Sequence, residues 1–258
     1  MTYIRTDREP GERSIKVANA TPSLQLSVEH HLCPGCGEPV LFRILLEVIE
    51  ELGLEQRTIG VVGHGCYTPL ASMADIDFLQ CLHGRAPAVA TGVKRMQPDC
   101  AVFTLQGDGD MVSEGLAEVM HAAARGESIT CVLLNNGVFG DTGGQMTATT
   151  VVGQRTKTSI DGRDPAQHGY PIPIADVVAG LHGSSYVARG SVHSAGTVAQ
   201  TKRMLRRAFE QQTGAGGFTF VEVLTMCPTG WFVPTASGPE YLVESLEDVY
   251  PLGEIKGG

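Results

Sequence analysis

The chain has 258 residues, of which 42% are hydrophobic and 18% charged, and its formal net charge is -9. This length fits one large α/β domain or two small ones, with enough apolar residues for a sizeable core. The acidic balance and the lack of a basic stripe argue against nucleic-acid binding. No segment approaches the length of a membrane span, and the polar start lacks the apolar region of a signal peptide, so we expect a cytoplasmic protein.

The predicted elements alternate between helices and short apolar strands. Residues 1–30 are polar and predict an extended N-terminal arm. Apolar residues recur every four positions from Val40 to Leu52, which predicts a helix over Pro39–Leu52. The other predicted elements, in chain order, are the strand Thr58–Val62, the helix Ala86–Arg95, the strand Cys100–Leu105, the helix Glu114–Arg125, the strand Ile129–Leu134, the helix near Ile174–Leu181, the strand near Tyr186–Ala188, the helix near Val198–Gln211 and the strand Phe218–Leu224.

This alternation predicts the fold class. Strands that are apolar along their whole length and alternate with helices are typical of a doubly wound α/β fold, a mainly parallel sheet with helices on both faces. We expect Ser113 to cap the helix that follows it and Gly126 to end that helix. The stretch from Gly137 to Pro173 is longer than ordinary connections, which favours a lid or binding loop. We expect one main domain over residues 31–236 and a C-terminal tail over residues 237–258.

The segment Gly107-Asp108-Gly109-Asp110 follows a predicted strand and precedes a predicted helix. Ligands of parallel sheets bind at the carboxyl ends of strands. Glycines let the backbone approach phosphate oxygens, and the helix start offers free N–H groups. Asp108 supplies an oxygen ligand suited to Mg²⁺. Alone, the segment is equally consistent with a simple strand-to-helix turn.

A second polar element follows the next predicted strand, at Asn135-Asn136. Its side-chain oxygen and a backbone carbonyl just beyond it suit the remaining positions around Mg²⁺. The two elements together resemble the diphosphate motif of thiamine-pyrophosphate enzymes. The resemblance implies that Asp108, Asn136 and the Val138 carbonyl hold the magnesium ion.

The seven cysteines do not suggest a disulfide framework, because the number is odd and the expected compartment is reducing. Cys33 and Cys36 have the two-residue spacing that suits a shared metal, although a redox pair or a simple turn fits it too. Cys66 and Cys227 each follow a predicted strand, where they can converge with that pair. Cys100 and Cys131 open or lie within apolar runs and are expected in the core, whereas the role of Cys81 stays open.

The cysteines at 33, 36, 66 and 227, together with the diphosphate motif, His83-Gly84-Arg85-Ala86 and Thr142-Gly143-Gly144-Gln145-Met146, resemble the thiamine-pyrophosphate-binding subunits of 2-oxoacid:ferredoxin oxidoreductases. The resemblance covers nearly the whole chain. It implies a four-iron four-sulfur cluster bound by Cys33, Cys36, Cys66 and Cys227.

The same resemblance assigns further site residues. Glu38, His83 and Asp141 are the candidate catalytic residues. The residues implied to bind the thiamine cofactor are Gly37, Glu38, Cys66, His83, Gly84, Gly107, Asp108, Gly109, Asp110, Asn136, Gly140 and Thr142.

The implied reaction is the oxidative decarboxylation of a 2-oxoacid to an acyl-coenzyme A and carbon dioxide, with electrons passing through the cluster to ferredoxin or a similar acceptor. The chain lacks room for the domain that binds the pyrimidine ring, so we expect a partner α subunit to supply the activating Glu. A further iron–sulfur or γ subunit is also implied. Within this family the chain most resembles subunits that act on branched-chain oxoacids, with 2-oxoglutarate and aromatic oxoacids as alternative substrates. A carboxylate at Asp141 would disfavour a second negative charge nearby, unless Asp141 only orders its loop.

Other readings remain open from the residues alone. A thiamine-dependent decarboxylase subunit would bind no iron and leave Cys66 and Cys227 incidental. A non-catalytic electron-transfer subunit would keep the cluster but bind no thiamine. A zinc-binding structural domain would need two more convergent ligands and leaves the diphosphate motif unexplained.

Overall fold

The computed structural model describes residues 21–257, so residues 1–20 of the predicted arm lie outside the described part. A seven-stranded sheet forms its centre. The strands of this sheet are β1 Thr58–Val62, β2 Asp77–Gln80, β3 Ala101–Gly107, β4 Thr130–Asn135, β7 Ser184–Ser191, β8 Phe218–Leu224 and β9 Gly253–Lys256. A separate antiparallel hairpin contains β5 Val138–Phe139 and β6 Gln145–Met146.

The strand order across the sheet is β2-β1-β3-β4-β8-β7-β9. All neighbouring strands are parallel except β9, which pairs antiparallel with β7. The helices are α1 Glu38–Glu51, α2 Ala86–Met96, α3 Leu116–Arg125, α4 Pro165–His168, α5 Ile174–Ala179, α6 Ala195–Thr213, α7 Pro228–Trp231 and α8 Gly238–Leu242.

The helices cover both faces of the sheet, because the side chains of each central strand alternate between two buried clusters. In β4, Val132 and Leu134 join the cluster that contains α1 and α6. Cys131 and Leu133 join the opposite cluster, which contains α2, α3 and α5. The predicted doubly wound, mainly parallel fold is therefore confirmed, and so is the core position of Cys131. Cys100 is only partly buried, at the rim of the second cluster.

The predicted start of the helix before Gly126 is wrong. Residues Gly109–Glu114 form a π-helical turn, and α3 begins at Leu116 without a side-chain cap. Ser113 instead accepts a hydrogen bond from the backbone N–H of Ala148 at 2.9 Å. The hydroxyl therefore fixes the long loop rather than the helix. The predicted end is right, because Gly126 has a φ of 62° and closes α3.

Two strands of the central sheet, and both strands of the β5–β6 hairpin, were not expected from the sequence. Strand β2 is mostly exposed, and β9 lies in the predicted C-terminal tail while pairing with β7. The proposed boundary at residue 236 stays a prediction. Within the described range 21–257, no helix combines the length and apolar character needed to cross a bilayer.

Candidate cofactor site

A cavity of about 360 Å³ opens at the carboxyl ends of β1, β3, β4 and β8. Most of the site residues expected from the sequence line this one cavity, although they come from distant parts of the chain. They are Cys33, Cys36, Glu38, Cys66, His83, Gly107, Asp108, Gly109, Asp110, Asn136, Val138, Gly140, Asp141, Thr142 and Cys227.

Gly37 and Gly84 are not among the residues that line the cavity. Gly37 donates its N–H to the carbonyl of Met226 at 3.0 Å, and a side chain there would collide with the Met226 backbone. Gly84 has a φ of +78° and lies against the backbone of Glu114. Both glycines permit the close approach of two backbone segments. Because neither lines the cavity, the structure does not support their expected contact with the cofactor.

Asp108 lies at the end of β3 and is fully buried. Its Oδ2 accepts hydrogen bonds from the hydroxyls of Thr147 and Thr149, each at 2.6 Å. Its Oδ1 has only a long contact of 3.4 Å with the backbone N–H of Asn136. Burial raises the pKa of Asp108 to about 6, although the threonine hydroxyls act in the opposite direction. Oδ1 is therefore the oxygen that remains available for a cation.

Asn136 begins a tight turn beside Asp108. Its Oδ1 accepts the N–H of Val138 at 3.0 Å, and its carbonyl accepts the indole N–H of Trp231 at 2.7 Å. The turn thus places carboxylate, amide and carbonyl oxygens at the ends of two paired strands, β3 and β4. Oxygen ligands of this kind suit Mg²⁺.

A buried ionic network lies behind this turn. Asn135 donates to Glu222 at 2.6 Å, and Glu222 accepts the Nε–H of Arg189 at 2.7 Å. Arg189 also donates to Asp176 at 2.7 Å and stacks over the ring of Tyr250. The sequence contained a signal for this network, since Glu222 and Arg189 are charged residues within apolar strands.

Glu38 is the first residue of α1 and is 5% exposed. Its Oε2 has no hydrogen-bond partner among the described residues. Burial, followed by the neighbouring carboxylates of Asp108 and Asp141, raises the pKa of Glu38 to about 8. Burial therefore favours the protonated form of the carboxyl group. A buried group without a partner is costly unless a ligand supplies one, which fits the predicted contact with a cofactor.

Asp110 has a different setting from that of Asp108. Its carboxylate accepts hydrogen bonds from the hydroxyl of Tyr67 and from the backbone N–H groups of His64 and Gly84. Nδ1 of His83 lies 3.9 Å from it. Asp110 therefore ties together the loops after β1 and β2, and through them positions the cavity wall.

The four expected cluster cysteines all line the cavity, and three of them are partly buried. A methyl group built on Gly140 would lie 3.4 Å from Sγ of Cys227 and 3.7 Å from Sγ of Cys66. Burial raises the pKa of Cys66 and of Cys227 to about 12 each. Free thiolates are therefore disfavoured here unless a metal stabilises them. Within residues 21–257, no three His, Cys, Asp or Glu side chains converge closely enough to hold a single ion.

The cavity contains residues that sequence reasoning did not assign to it. They include His31, His64, Tyr67, Phe139 and Thr229. The His83 ring stacks on Phe139 at a centroid distance of 6.1 Å. Thr142, which was expected near the cofactor, donates its hydroxyl to Gln145 at 2.7 Å. No motif marks the five residues that sequence reasoning missed, because only the fold brings them to the cavity.

Comparisons with known proteins identify the family of the chain. Residues 62–223 match the family described as thiamine pyrophosphate enzyme, C-terminal TPP binding domain. The ketoisovalerate oxidoreductase subunit VorA of Methanothermobacter thermautotrophicus is 38% identical over 226 residues, which are 88% of this chain. The chain spans 47% of the length of that relative.

The 2-oxoglutarate synthase subunit KorB of Archaeoglobus fulgidus is 32% identical over 226 residues, covering 87% of this chain and 80% of KorB. A solved structure of 2-oxoglutarate:ferredoxin oxidoreductase from Magnetococcus marinus, with 2-oxoglutarate, coenzyme A and succinyl-CoA bound, has a TM-score of 0.76 at 25% identity. The match covers 95% of this chain and 87% of that chain. The chain therefore belongs to the family of thiamine-pyrophosphate-binding subunits of 2-oxoacid:ferredoxin oxidoreductases.

Proposed function

We propose that this chain binds thiamine pyrophosphate, Mg²⁺ and a four-iron four-sulfur cluster in the cavity described above, and that it works within a 2-oxoacid:ferredoxin oxidoreductase. The overall reaction converts a 2-oxoacid and coenzyme A to acyl-coenzyme A and carbon dioxide. Two electrons and one proton are released, and the electrons pass to ferredoxin or a similar acceptor. A branched-chain oxoacid is the favoured substrate.

One observation carries this proposal. The Asp108–Asn136 pair, the unpaired carboxyl group of Glu38 and the four cysteines line a single cavity. A decarboxylase without a cluster would have no use for four convergent cysteines. An electron-transfer subunit without thiamine would have no use for a buried Asp108 with an available oxygen. The combination favours one site that serves both groups.

Residues at the floor of the cavity would hold the metal and the diphosphate. Asp108 Oδ1, the Asn136 side chain and the Val138 carbonyl are the proposed magnesium ligands. Glycines at 107 and 109 leave the backbone open to phosphate oxygens. Glu38 Oε2, which has no hydrogen-bond partner among the described residues, would form a hydrogen bond with the cofactor. Thiamine pyrophosphate, when bound, supplies the carbanion chemistry of the decarboxylation.

The cysteines would supply the electron exit. The four sulfurs need not converge on a single ion, because a four-iron cluster takes one thiolate per iron. Gly140 carries no side chain beside the sulfurs of Cys66 and Cys227, where an added methyl group would touch both. His83 and Asp141, which line the cavity, would contact the substrate.

Partner subunits are part of the proposal. The chain spans about half of the VorA relative, so a complete enzyme needs further protein. We assign the pyrimidine-activating Glu to a partner α subunit, and any further clusters to another subunit. We also propose a cytoplasmic location, because ferredoxin is the expected electron acceptor.

The test is an analysis of the complex purified without oxygen. Iron, sulfide and thiamine pyrophosphate are counted per copy of this chain, and reduction of methyl viologen is followed with a 2-oxoacid and coenzyme A. We expect four irons assigned to this chain, one thiamine pyrophosphate and acceptor reduction that requires coenzyme A. Thiamine without iron would indicate a cluster-free decarboxylase, and iron without thiamine an electron-transfer subunit.

Variants assign the iron to this cavity. Cys227→Ser should lose the iron of this chain, while Cys100→Ala, at the opposite end of the sheet, should keep it. Equal iron content in both variants would place the cluster elsewhere.

A further inference from the structure

The short helix α7 joins the two parts of the candidate cofactor site. Cys227, one of the proposed cluster ligands, is the N-cap residue of this helix, and Trp231 is its last residue. The carbonyl of Cys227 accepts the backbone N–H of Trp231 at 2.9 Å. A single helical turn therefore fixes the position of Trp231 relative to the cysteine.

Trp231 reaches the proposed magnesium site from this helix. The residue is 4% exposed, and its indole N–H donates to the carbonyl of Asn136 at 2.7 Å. The Asn136 side chain holds the N–H of Val138, so the indole binds the turn that carries two of the three proposed magnesium ligands. The carbonyl that accepts the indole N–H is not one of those ligands. Trp231 therefore positions the turn and leaves the ligand oxygens to the cation.

The indole ring is also held by a second aromatic side chain. Tyr241 of α8 packs on it with a centroid distance of 4.7 Å and an angle of 32° between the rings. A phenylalanine at position 231 can keep this aromatic contact while it loses the N–H donor. The hydrogen bond to Asn136 can thus be removed with little change in packing.

A second connection between the two parts of the site passes through Gly230, in the same helix. A methyl group built on Gly230 would lie 2.9 Å from Sγ of Cys227 and 2.9 Å from Cγ2 of Val138. A proposed cluster ligand and a proposed magnesium ligand therefore both lie against this glycine. Because closely packed segments transmit strain, a displacement of the sulfur is expected to reach Val138.

We propose that Trp231 couples the two cofactor sites, so that a cluster bound through Cys227 strengthens the binding of Mg²⁺ and thiamine pyrophosphate. This inference rests on the proposed function and adds a regulation of the same site. The bound cluster would restrain the start of α7 and so hold the indole against the Asn136 carbonyl. Coupling between two binding sites is reciprocal. Bound thiamine pyrophosphate would therefore also favour retention of the cluster.

The first test is a double-mutant cycle in the complete oxidoreductase complex. Cys33→Ser removes a proposed cluster ligand that lies outside α7, and Trp231→Phe removes the indole N–H. Thiamine pyrophosphate affinity at a fixed Mg²⁺ concentration is measured by isothermal titration calorimetry. With Trp231 present, Cys33→Ser should weaken binding about 5- to 150-fold, the usual range of coupling between two sites. With Phe at position 231, the same change should have little effect.

The cycle distinguishes coupling from a structural defect. If Trp231→Phe only disturbed the packing, Cys33→Ser would weaken binding by the same factor with either residue at position 231. Tyr186→Phe is the matched control, because it removes one hydrogen bond of an aromatic ring, to Glu254 on the edge strand β9. This control should keep the full effect of Cys33→Ser. An equal effect in the Trp231→Phe complex, or no effect in the complex that keeps Trp231, would overturn the inference.

The second test measures the reciprocal effect on iron. The complex is equilibrated with an iron chelator, with and without Mg²⁺ and thiamine pyrophosphate, and the retained iron is counted. The iron that is missing from the Cys33→Ser complex is assigned to this cluster. Mg²⁺ with thiamine pyrophosphate should increase the retained iron of the wild-type complex but not that of Trp231→Phe. Equal retention with and without the cofactor in the wild-type complex would contradict the coupling.

These results are distinguishable from a failure of the proposed function. If the complex binds thiamine pyrophosphate and loses iron in Cys33→Ser, while Trp231→Phe changes neither effect, only the coupling fails. If the wild-type complex binds no thiamine pyrophosphate, or Cys33→Ser keeps all its iron, the proposed function fails and the coupling fails with it.

Discussion

The side-chain amide of Asn135 donates a hydrogen bond to Oε1 of Glu222 at 2.6 Å, in the buried space between β4 and β8. Asn135 Oδ1 in turn accepts the N–H of Gly137 at 3.1 Å. The carboxylate on one strand therefore orients the turn that carries Asn136 on the neighbouring strand. Arg189 holds that carboxylate from the other side. The proposed magnesium site thus depends on an ion pair that lies outside the cavity.

We predict that Glu222→Leu weakens both the fold and the metal site. Arg189 is 1% exposed, so removing its buried partner should reduce the free energy of unfolding, but by less than the about 3–5 kcal/mol of a fully unpaired buried charge, because Asp176 still pairs with the guanidinium. Loss of the acceptor for Asn135 should lower Mg²⁺-dependent thiamine pyrophosphate affinity about 10- to 100-fold, as for other outer partners of metal ligands. Denaturant unfolding and cofactor titration measure the two effects.

A double variant separates the effects. Arg189→Met with Glu222→Leu replaces the ion pair by apolar side chains, a change that is often neutral for stability. We expect near-wild-type unfolding but weakened cofactor binding. Full cofactor affinity in this variant would show that the pair supports only the fold.

The threonine hydroxyls that hold Asp108 provide a second prediction. Thr149→Val keeps the shape of the side chain but removes a 2.6 Å hydrogen bond to Oδ2. Because the bond orients the carboxylate, the Mg²⁺ concentration for half-maximal thiamine pyrophosphate binding should rise about 10-fold. Thr213→Val is the control. The hydroxyl of Thr213 donates to the helix carbonyl of Phe209, so its loss should leave this concentration unchanged.

Gly140→Ala is predicted to affect iron but not folding. The glycine does not have a left-handed φ, and the added methyl group would make ordinary contacts with Cys66 and Cys227. It would, however, fill the space between the two sulfurs. We expect the iron-free chain to unfold at or slightly above the wild-type temperature, while iron content after anaerobic reconstitution falls. Gly92→Ala, on the open surface of α2, is the control, and normal iron content in Gly140→Ala would contradict the proposed cluster position.

We predict that Glu127 makes the stability of the chain depend on pH. Its pKa is lowered: burial alone would raise it, but the hydrogen bonds from Arg125 and Arg95 outweigh that effect. Because the pKa of Glu127 is lower in the folded chain than in the unfolded chain, its ionised carboxylate stabilises the fold. This stabilisation is complete above the ordinary pKa of 4.5 and is lost as the pH falls through the pKa of the folded state. Glu127→Gln should therefore be less stable than wild type near pH 7, by at most about 1 kcal/mol because both arginines are partly exposed. The difference should disappear on acidification, and a constant difference down to pH 3 would contradict this assignment.

Much of the fold could be predicted from the sequence, because long buried elements have clear patterns. The strand Phe218–Leu224 lies where the apolar run predicted it. Strand β2 was missed since its residues are mostly exposed and lack alternation. The cap at Ser113 was wrong because a tertiary contact with the Ala148 backbone outweighed the local preference.

Some residues of the candidate site could likewise be predicted from the sequence, and others could not. Asp108 and Asn136 follow predicted strands, so their positions could be inferred from topology. Thr147 and Thr149, which donate hydrogen bonds to Asp108, and His64, which lines the cavity, could not, because all three lie in loops whose course no periodicity indicates. Glu222 was overlooked although a charge within an apolar strand is a detectable signal.

Strand β9 has a consequence for how copies of the molecule can associate. It occupies the hydrogen-bonding side of β7, and it is short and carries Glu254 and Lys256. Short charged strands at the edge of a sheet discourage another chain from pairing there and so protect against aggregation. Removing β9 would expose the backbone of β7 to such pairing. On this side of the sheet, we therefore expect neighbouring subunits to make contact through side chains rather than by extending the sheet.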